Sequence, residues 1–235
     1  MMEAASAPLR ELKAMIDLIV NPPQSGPLKM PVQDVLANYN GPRDLKGLLE
    51  ALDFFECAQD PLELKEMINI IGGCSSILEV GSRLGGTLYR MASVLAPNSM
   101  VVSVDFPMAD GTPGIVDPEK NLRHNCEQIA ALGHHVELIL GDSHSQGVVD
   151  KVREYGPYDF GFIDADHSYE GVKADWENYG PMCRVVGFHD IDNSNEPGCI
   201  RLWRELKDKY RSTEIMHKHL GMRLGIGIIY REEPI

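Results

Sequence analysis

Apolar positions recur along this chain with two periods, and the period changes near residue 73. Before that point the spacing is helical. Leu9, Leu12, Ile16 and Ile19 fall on one face of a helix over residues 1 to 20, and Pro22, Pro23, Gly26, Pro27 and Pro31 end it. Leu45, Leu48, Leu49, Leu52 and Phe55 predict a second helix over roughly 43 to 58. Asp60 followed by Pro61 is an N-cap with proline at the first helical position. It opens a third helix that Gly72-Gly73 closes. Residues 1–72 therefore read as a helical cap, and 73–235 as the main domain.

Beyond residue 73, short apolar runs alternate with helical stretches, the pattern of a parallel sheet with crossover helices. Strands are expected at 77–80, 100–105, 136–140 and 185–190, with a fourth, between the last two, in the run 158–169 that ends in two acids and a histidine. Helices are expected at 87–96, from Asp117 to Gly133, around Trp176 and from Ile200 to Tyr210. Two last strands, 213–219 and 224–230, flank Gly221 as an antiparallel edge pair. The segment Phe106 to Val116 is rich in Pro and Gly and too long for a plain connector, which suggests a flap. The fold class expected is α/β, a doubly wound, Rossmann-like and mostly parallel seven-stranded sheet.

The first strand breaks into a turn, Glu79-Val80-Gly81-Ser82-Arg83-Leu84-Gly85-Gly86-Thr87. Glycines there let the backbone approach a ligand where a Cβ would collide, and the following helix offers its N-terminus. The dinucleotide fingerprint needs a second glycine two residues after the first, and Arg83 stands there, which weighs against NAD or FAD. No Gly-Lys-Ser/Thr closes the turn, so a P-loop is excluded.

Glu-x-Gly-x-x-x-Gly-Gly-Thr instead resembles the first motif of class I S-adenosylmethionine-dependent methyltransferases. The resemblance implies that the turn faces the methionine end of that cofactor. Glu79, Gly81, Ser82, Gly85, Gly86 and Thr87 are the residues concerned. Asp105, ending the second strand, is placed to accept hydrogen bonds from ribose hydroxyls. In nucleotide-binding sheets the end of the third strand can meet the adenine, which makes Asp142 and Ser143 candidates; the other reading is a plain turn.

Two further strand ends carry chemistry. Phe162-Ile163-Asp164-Ala165-Asp166-His167-Ser168-Tyr169 ends the fourth strand, and Gly187-Phe188-His189-Asp190 the fifth. Parallel strands deliver their carboxyl ends to one rim, so these side chains can converge. Together with Asp175-Trp176, these runs are similar to the small natural-product, sugar, catechol and caffeoyl-CoA O-methyltransferases. That resemblance covers residues 72 to about 192. It implies Asp164 toward the cofactor, Asp164, His189 and Asp190 toward a divalent ion (Mg or Mn), and His167 as the catalytic base. His189 stands where catechol-type enzymes have Asp, which leaves the metal open; the alternative is that His189 and Asp190 line the pocket and bond one another.

The chemistry fits. A histidine with a pKa near 6.5 can take the proton of an acceptor hydroxyl, worth ~10²- to 10⁴-fold. A divalent ion would lower the hydroxyl pKa and orient it. The expected acceptor is a hydroxylated small molecule or sugar.

Charge narrows the partners. Twenty-two basic against 35 acidic residues give a formal net charge of -13, which disfavours nucleic acid. No Asn/Asp-Pro-Pro-Tyr motif follows the fourth strand. Without a secretory pattern or an 18-residue apolar run, a cytoplasmic protein off the membrane is expected. The five cysteines lack C-x-x-C spacing and read as reduced structural thiols. The His134-His135 pair and His217-x-His219 read as structural rather than ligating. The cap has two natural uses, shaping the acceptor pocket or making a homodimer, and the sequence does not choose. The other functional readings are a non-catalytic cofactor-binding or assembly protein and an NAD-type oxidoreductase.

Overall fold

A computed structural model describes residues 59–106, 117–217 and 223–231 of the 235-residue chain. The two helices expected before residue 58, most of the flap, Cys57 and His219 lie outside the described residues. Helix α1, Pro61–Ile71, begins where Asp60 accepts hydrogen bonds from the amides of Leu62 and Glu63, at 2.8 and 3.2 Å. This satisfies two of the donors a helix start leaves open. Then follow β1 (Ser76–Val80), α2 (Gly86–Ala92), β2 (Met100–Asp105), α3 (Pro118–Ala131), β3 (His135–Leu140) and α4 (Gln146–Arg153). The chain continues with β4 (Tyr158–Ile163), α5 (Tyr169–Tyr179), a 3₁₀ turn (Gly180–Met182), β5 (Cys183–Phe188), α6 (Pro197–Leu206), β6 (Arg211–Ile215) and β7 (Ile226–Tyr230).

The seven strands form one sheet in the order β3-β2-β1-β4-β5-β7-β6. The first five strands run parallel, and β7 joins β5 and β6 antiparallel. The expected doubly wound sheet with its antiparallel edge pair is the sheet observed. Alternation along the strands feeds two apolar layers. Leu78 and Val80 pack with Val149, Trp176, Tyr179, Leu202 and Trp203 of α4, α5 and α6. Ile77 packs with Met67, Ile71, Leu88, Met91, Leu122 and Ile129 of α1, α2 and α3. No helix among the described residues is long and apolar enough to cross a membrane.

Element ends differ from expectation in informative ways. His135 pairs with Met100 as the first residue of β3, because its ladder to β2 continues to Ser99, so only His134 remains in the turn. β5 stops at Phe188, which leaves His189 and Asp190 just past the strand. Asp190 has φ 60°, a left-handed backbone that a non-glycine residue adopts at a cost, and that turn holds its carboxylate at the rim.

Because β1 leads leftward to β2 and β3 while β4 begins the rightward half, their carboxyl ends open a crevice between β1 and β4. This is the switch point at which open α/β sheets bind ligands.

Candidate active site

The glycine turn sits at that switch point. Gly81 has φ 92°, and a Cβ on it would collide with the Asp164 carbonyl. Gly85 has φ 84°, and a Cβ there would lie 2.9 Å from the Cβ of Asn125. Both positions therefore require glycine. The turn is braced by the Gly85 amide on the Ser82 carbonyl at 2.7 Å and by the Ser103 hydroxyl on that of Ser82, also 2.7 Å. Ser82 thus turns its side chain into the fold, and Gly86 and Thr87 are buried in the first turn of α2.

Glu79 is buried under this turn, and one of its oxygens, Oε2, has no hydrogen-bond partner. Burial pushes its carboxyl well above the ordinary range. Asp105, at the end of β2, receives the Arg83 amide on Oδ2 at 2.6 Å, so the turn is tied to this acid. Burial raises its pKa, against those amide bonds.

Past β3, the 142–145 loop is held from α5. Asp142 accepts the His144 amide at 2.9 Å and keeps a side chain 67% exposed. The Tyr179 hydroxyl donates to the Ser143 carbonyl at 2.6 Å. One turn earlier on α5, the fully buried Asp175 lies 3.3 Å from Nε2 of His144. Burial lifts Asp175 to about 6. These residues lie above β3 and β2, to one side of the glycine turn.

To the other side lies a cluster of two acids and two imidazoles. His167 places Nε2 3.2 Å from Asp164 Oδ1 and Nδ1 3.4 Å from Asp190 Oδ2. Its neighbour His189 points Nδ1 at the same two carboxylates, 3.1 and 3.4 Å away. Nε2 of His189 is buried without a partner. The hydrogen bond to Asp164 raises His167 to about 9, while burial works against it. Burial also opposes the charge on His189, but Asp164 outweighs it and carries that group to about 10. Asp164 is held below the ordinary carboxylate range by the two imidazoles, although burial opposes this. Both imidazoles are therefore cationic at neutral pH in this arrangement, and they balance the two carboxylates.

One oxygen each of Asp164 and Asp190 and one nitrogen of His167 lie within 4.8 Å of one another, a grouping able to hold a divalent ion. The expected set had His189 in place of His167; His189 lies against the same two oxygens, so both imidazoles compete for one position. An open cleft of about 390 Å³ begins at His167 and is lined further by Tyr169, Glu196, Gly198 and Arg201. The guanidinium of Arg201 stacks 3.5 Å above the Tyr169 ring.

Gln59 was not singled out from the sequence. Its Nε2 donates to Asp164 Oδ2 at 2.7 Å. Only its place immediately before the Asp60-Pro61 helix start could have drawn attention to it. His217 bonds Glu66 and, through its amide, Glu63, which makes it a fastening for the β6–β7 connection.

Residues 78–193 match the family model of a methyltransferase domain. This segment is a methyltransferase domain, and its fold is that of the class I S-adenosylmethionine-dependent enzymes. Solved structures agree on the fold of this methyltransferase. Cofactor-bound Rv0187 from MTB is 18% identical, with a TM-score of 0.61, covering 89% of this chain and 100% of that one. The O-methyltransferase from Bacillus cereus, solved in complex with SAH, is 18% identical with a TM-score of 0.55, over 94% and 97% of the two chains. TomG, an O-methyltransferase from Streptomyces achromogenes involved in tomaymycin synthesis and solved with SAM, is 13% identical with a TM-score of 0.57, over 74% and 82%. No curated protein sequence matches the chain.

The methyltransferase fits its cofactor on its own geometry. Two glycines that admit no Cβ, a buried acid with an unpartnered oxygen and a strand-end carboxylate anchored to the turn form a cradle whose acceptors suit a ligand with hydroxyl and ammonium donors.

Proposed function

We propose that this methyltransferase acts on a hydroxyl of a small molecule or sugar, with His167 as general base. The observation that carries the reading is the position of His167, bridging Asp164 and Asp190 at the mouth of the cleft. Nδ1 of its imidazole lies 3.6 Å from Glu196, a cleft residue, and is the atom that takes the hydroxyl proton. Only the neutral imidazole, present as pH approaches about 9, can take that proton, and Asp164 and Asp190 then hold the resulting imidazolium. S-adenosylmethionine, when bound, supplies the electrophilic methyl group on a sulfonium.

Glu79, Gly81, Ser82, Gly85, Gly86 and Thr87 form the cradle for its methionine end. Asp105 serves the ribose, and Asp142 and Ser143 the adenine. Asp164 and Asp190, with one of the two imidazoles, would hold a divalent ion, which would acidify and orient the acceptor hydroxyl. With those carboxylates so engaged, His167 would lose its charge partners and be free to act as base. Gln59, just ahead of α1, reaches Asp164. A cytoplasmic setting and a homodimer complete the reading; sedimentation velocity tests the latter.

The experiment is methyl transfer from labelled S-adenosylmethionine to a panel of phenols, catechols and sugars, with and without Mg²⁺ or Mn²⁺. Turnover by the native protein, and its loss in His167→Ala with cofactor affinity retained, support the assignment. Full turnover by that variant removes His167 from the mechanism.

A further inference from the structure

Gln59 is buried to within 7% of its surface at the entry to α1. Its amide is only half used. Nε2 donates to Asp164 Oδ2 at 2.7 Å, whereas Oε1 is buried with no partner. A buried amide oxygen left without a donor costs about 1–3 kcal/mol, so a ligand that brings one recovers that cost.

The surroundings define the donor. Asp164 divides its carboxylate, Oδ1 to the imidazoles of His167 and His189 and Oδ2 to Gln59. Its amide bonds the Val80 carbonyl at 2.8 Å, and its own carbonyl closes against Gly81, so it stands directly on the glycine turn. Glu79 Oε2, under the same turn, is also without a partner. On the Oδ2 side of Asp164 the unfilled atoms are the oxygens Gln59 Oε1 and Glu79 Oε2, which call for a cationic group bearing several N–H bonds, while the unfilled Nε2 of His189 belongs to the imidazole side. A hydroxyl brings a single hydrogen, and in the mechanism above that hydrogen goes to His167.

Topology says which part of the cofactor lies there. The ribose and adenine residues, Asp105 and Asp142, end β2 and β3, whereas Asp164 ends β4 on the far side of β1. A ligand with its nucleoside above β2 and β3 extends its amino-acid end over β1 and β4.

We propose that Gln59 is a cofactor-binding residue whose Oε1 accepts a hydrogen bond from the α-ammonium of S-adenosylmethionine, while its Nε2 holds Asp164 in place for the same group. The entry to α1 thereby contributes directly to cofactor recognition. This inference rests on the cofactor reading above.

The test compares calorimetric affinities of S-adenosylhomocysteine and its deamino analogue, 5′-S-(3-carboxypropyl)-5′-thioadenosine, for the full chain and for Gln59→Leu. The native protein should prefer the aminated ligand. The variant should lose about ten- to hundredfold for S-adenosylhomocysteine, as expected for one hydrogen bond to a charged group, and stay within about threefold for the analogue. Gln59→Asn, which keeps the amide but withdraws it by a methylene, should show the same split, with thermal melting of each variant confirming the fold. Equal weakening for both ligands, or no change for either, overturns the assignment of Gln59. Failure of the native protein to bind S-adenosylhomocysteine overturns the cofactor reading itself, and this inference with it.

Discussion

Nε2 of His167 lies 3.2 Å from Oδ1 of Asp164, and this one contact sets the working pH of the proposed base. Asp164 raises the imidazole to about 9, so the free electron pair that deprotonates an acceptor is scarce at neutral pH. Activity requires the unprotonated form and should rise with pH through about 9 when no divalent ion is present. Adding Mg²⁺ or Mn²⁺ neutralises the carboxylates and should move the rising limb to lower pH. A pH profile of kcat/KM measures both. A limb near 6.5 that ignores the ion would show that Asp164 does not control His167.

The same cluster predicts proton release on metal binding. Two imidazolium groups now balance Asp164 and Asp190, and an ion seated on those oxygens must expel at least one proton. Titrations of Mn²⁺ in two buffers of different ionisation enthalpy should yield between one and two protons, with affinity rising from pH 6 to pH 8. Asp190→Asn should weaken binding more than tenfold. Zero protons released would place the ion elsewhere.

Gly81 offers a test of the cradle. Its φ of 92° disfavours any side chain, and a Cβ would meet the Asp164 carbonyl, a backbone group that cannot rotate away. Gly81→Ala should displace Asp164 and the turn together. Cofactor affinity should fall by at least tenfold and stability by about 1–3 kcal/mol. Gly73→Ala is the control, because φ there is 85° yet nothing lies within 4 Å of the added Cβ. That variant should pay only the backbone cost and bind cofactor normally.

Much of this arrangement was legible because strand ends announce themselves. Three apolar residues and one acid ahead of Gly81, an acid ending β2 and another just past β4 mark both the sheet and its rim by local pattern alone. What escaped depends on contacts across long sequence separations. Glu63 looks like an ordinary helical charge, yet it is buried and accepts the amides of His217 and Gly225, more than 150 residues away. Gln59 bonds Asp164 across 105 positions. Neither periodicity nor motif spacing encodes such pairs. The shared use of Asp164 by two histidines escaped for a related reason, since a strand-end pattern gives proximity and not which nitrogen meets which oxygen.

The Glu63 contacts make a stability prediction. Its carboxylate closes two backbone amides on either side of the β6–β7 connection, at 2.9 and 3.0 Å. Glu63→Ala leaves both without their acceptor and should cost about 2–4 kcal/mol in urea denaturation. Glu63→Gln keeps a carbonyl oxygen for one amide and should cost less. Equal stability of all three proteins would mean that water replaces the carboxylate at no cost.

Asp175 supplies a pH signature separate from catalysis. Burial raises its folded pKa to about 6 from an ordinary value near 3.8, with the His144 imidazole 3.3 Å away. A carboxyl shifted upward favours folding while it is protonated in both states. As pH rises above 3.8 the unfolded chain ionises first, so stability falls until the folded group ionises near 6, and then levels off. About two pKa units correspond to about 3 kcal/mol at most. Asp175→Asn cannot ionise. Its stability should stay level between pH 4 and 6 while the native protein loses ground, so the two curves separate in that window and run parallel above it. Urea unfolding at half-unit pH steps would reveal this, and curves that remain parallel from pH 4 to 7 would show that Asp175 ionises as easily inside the protein as outside.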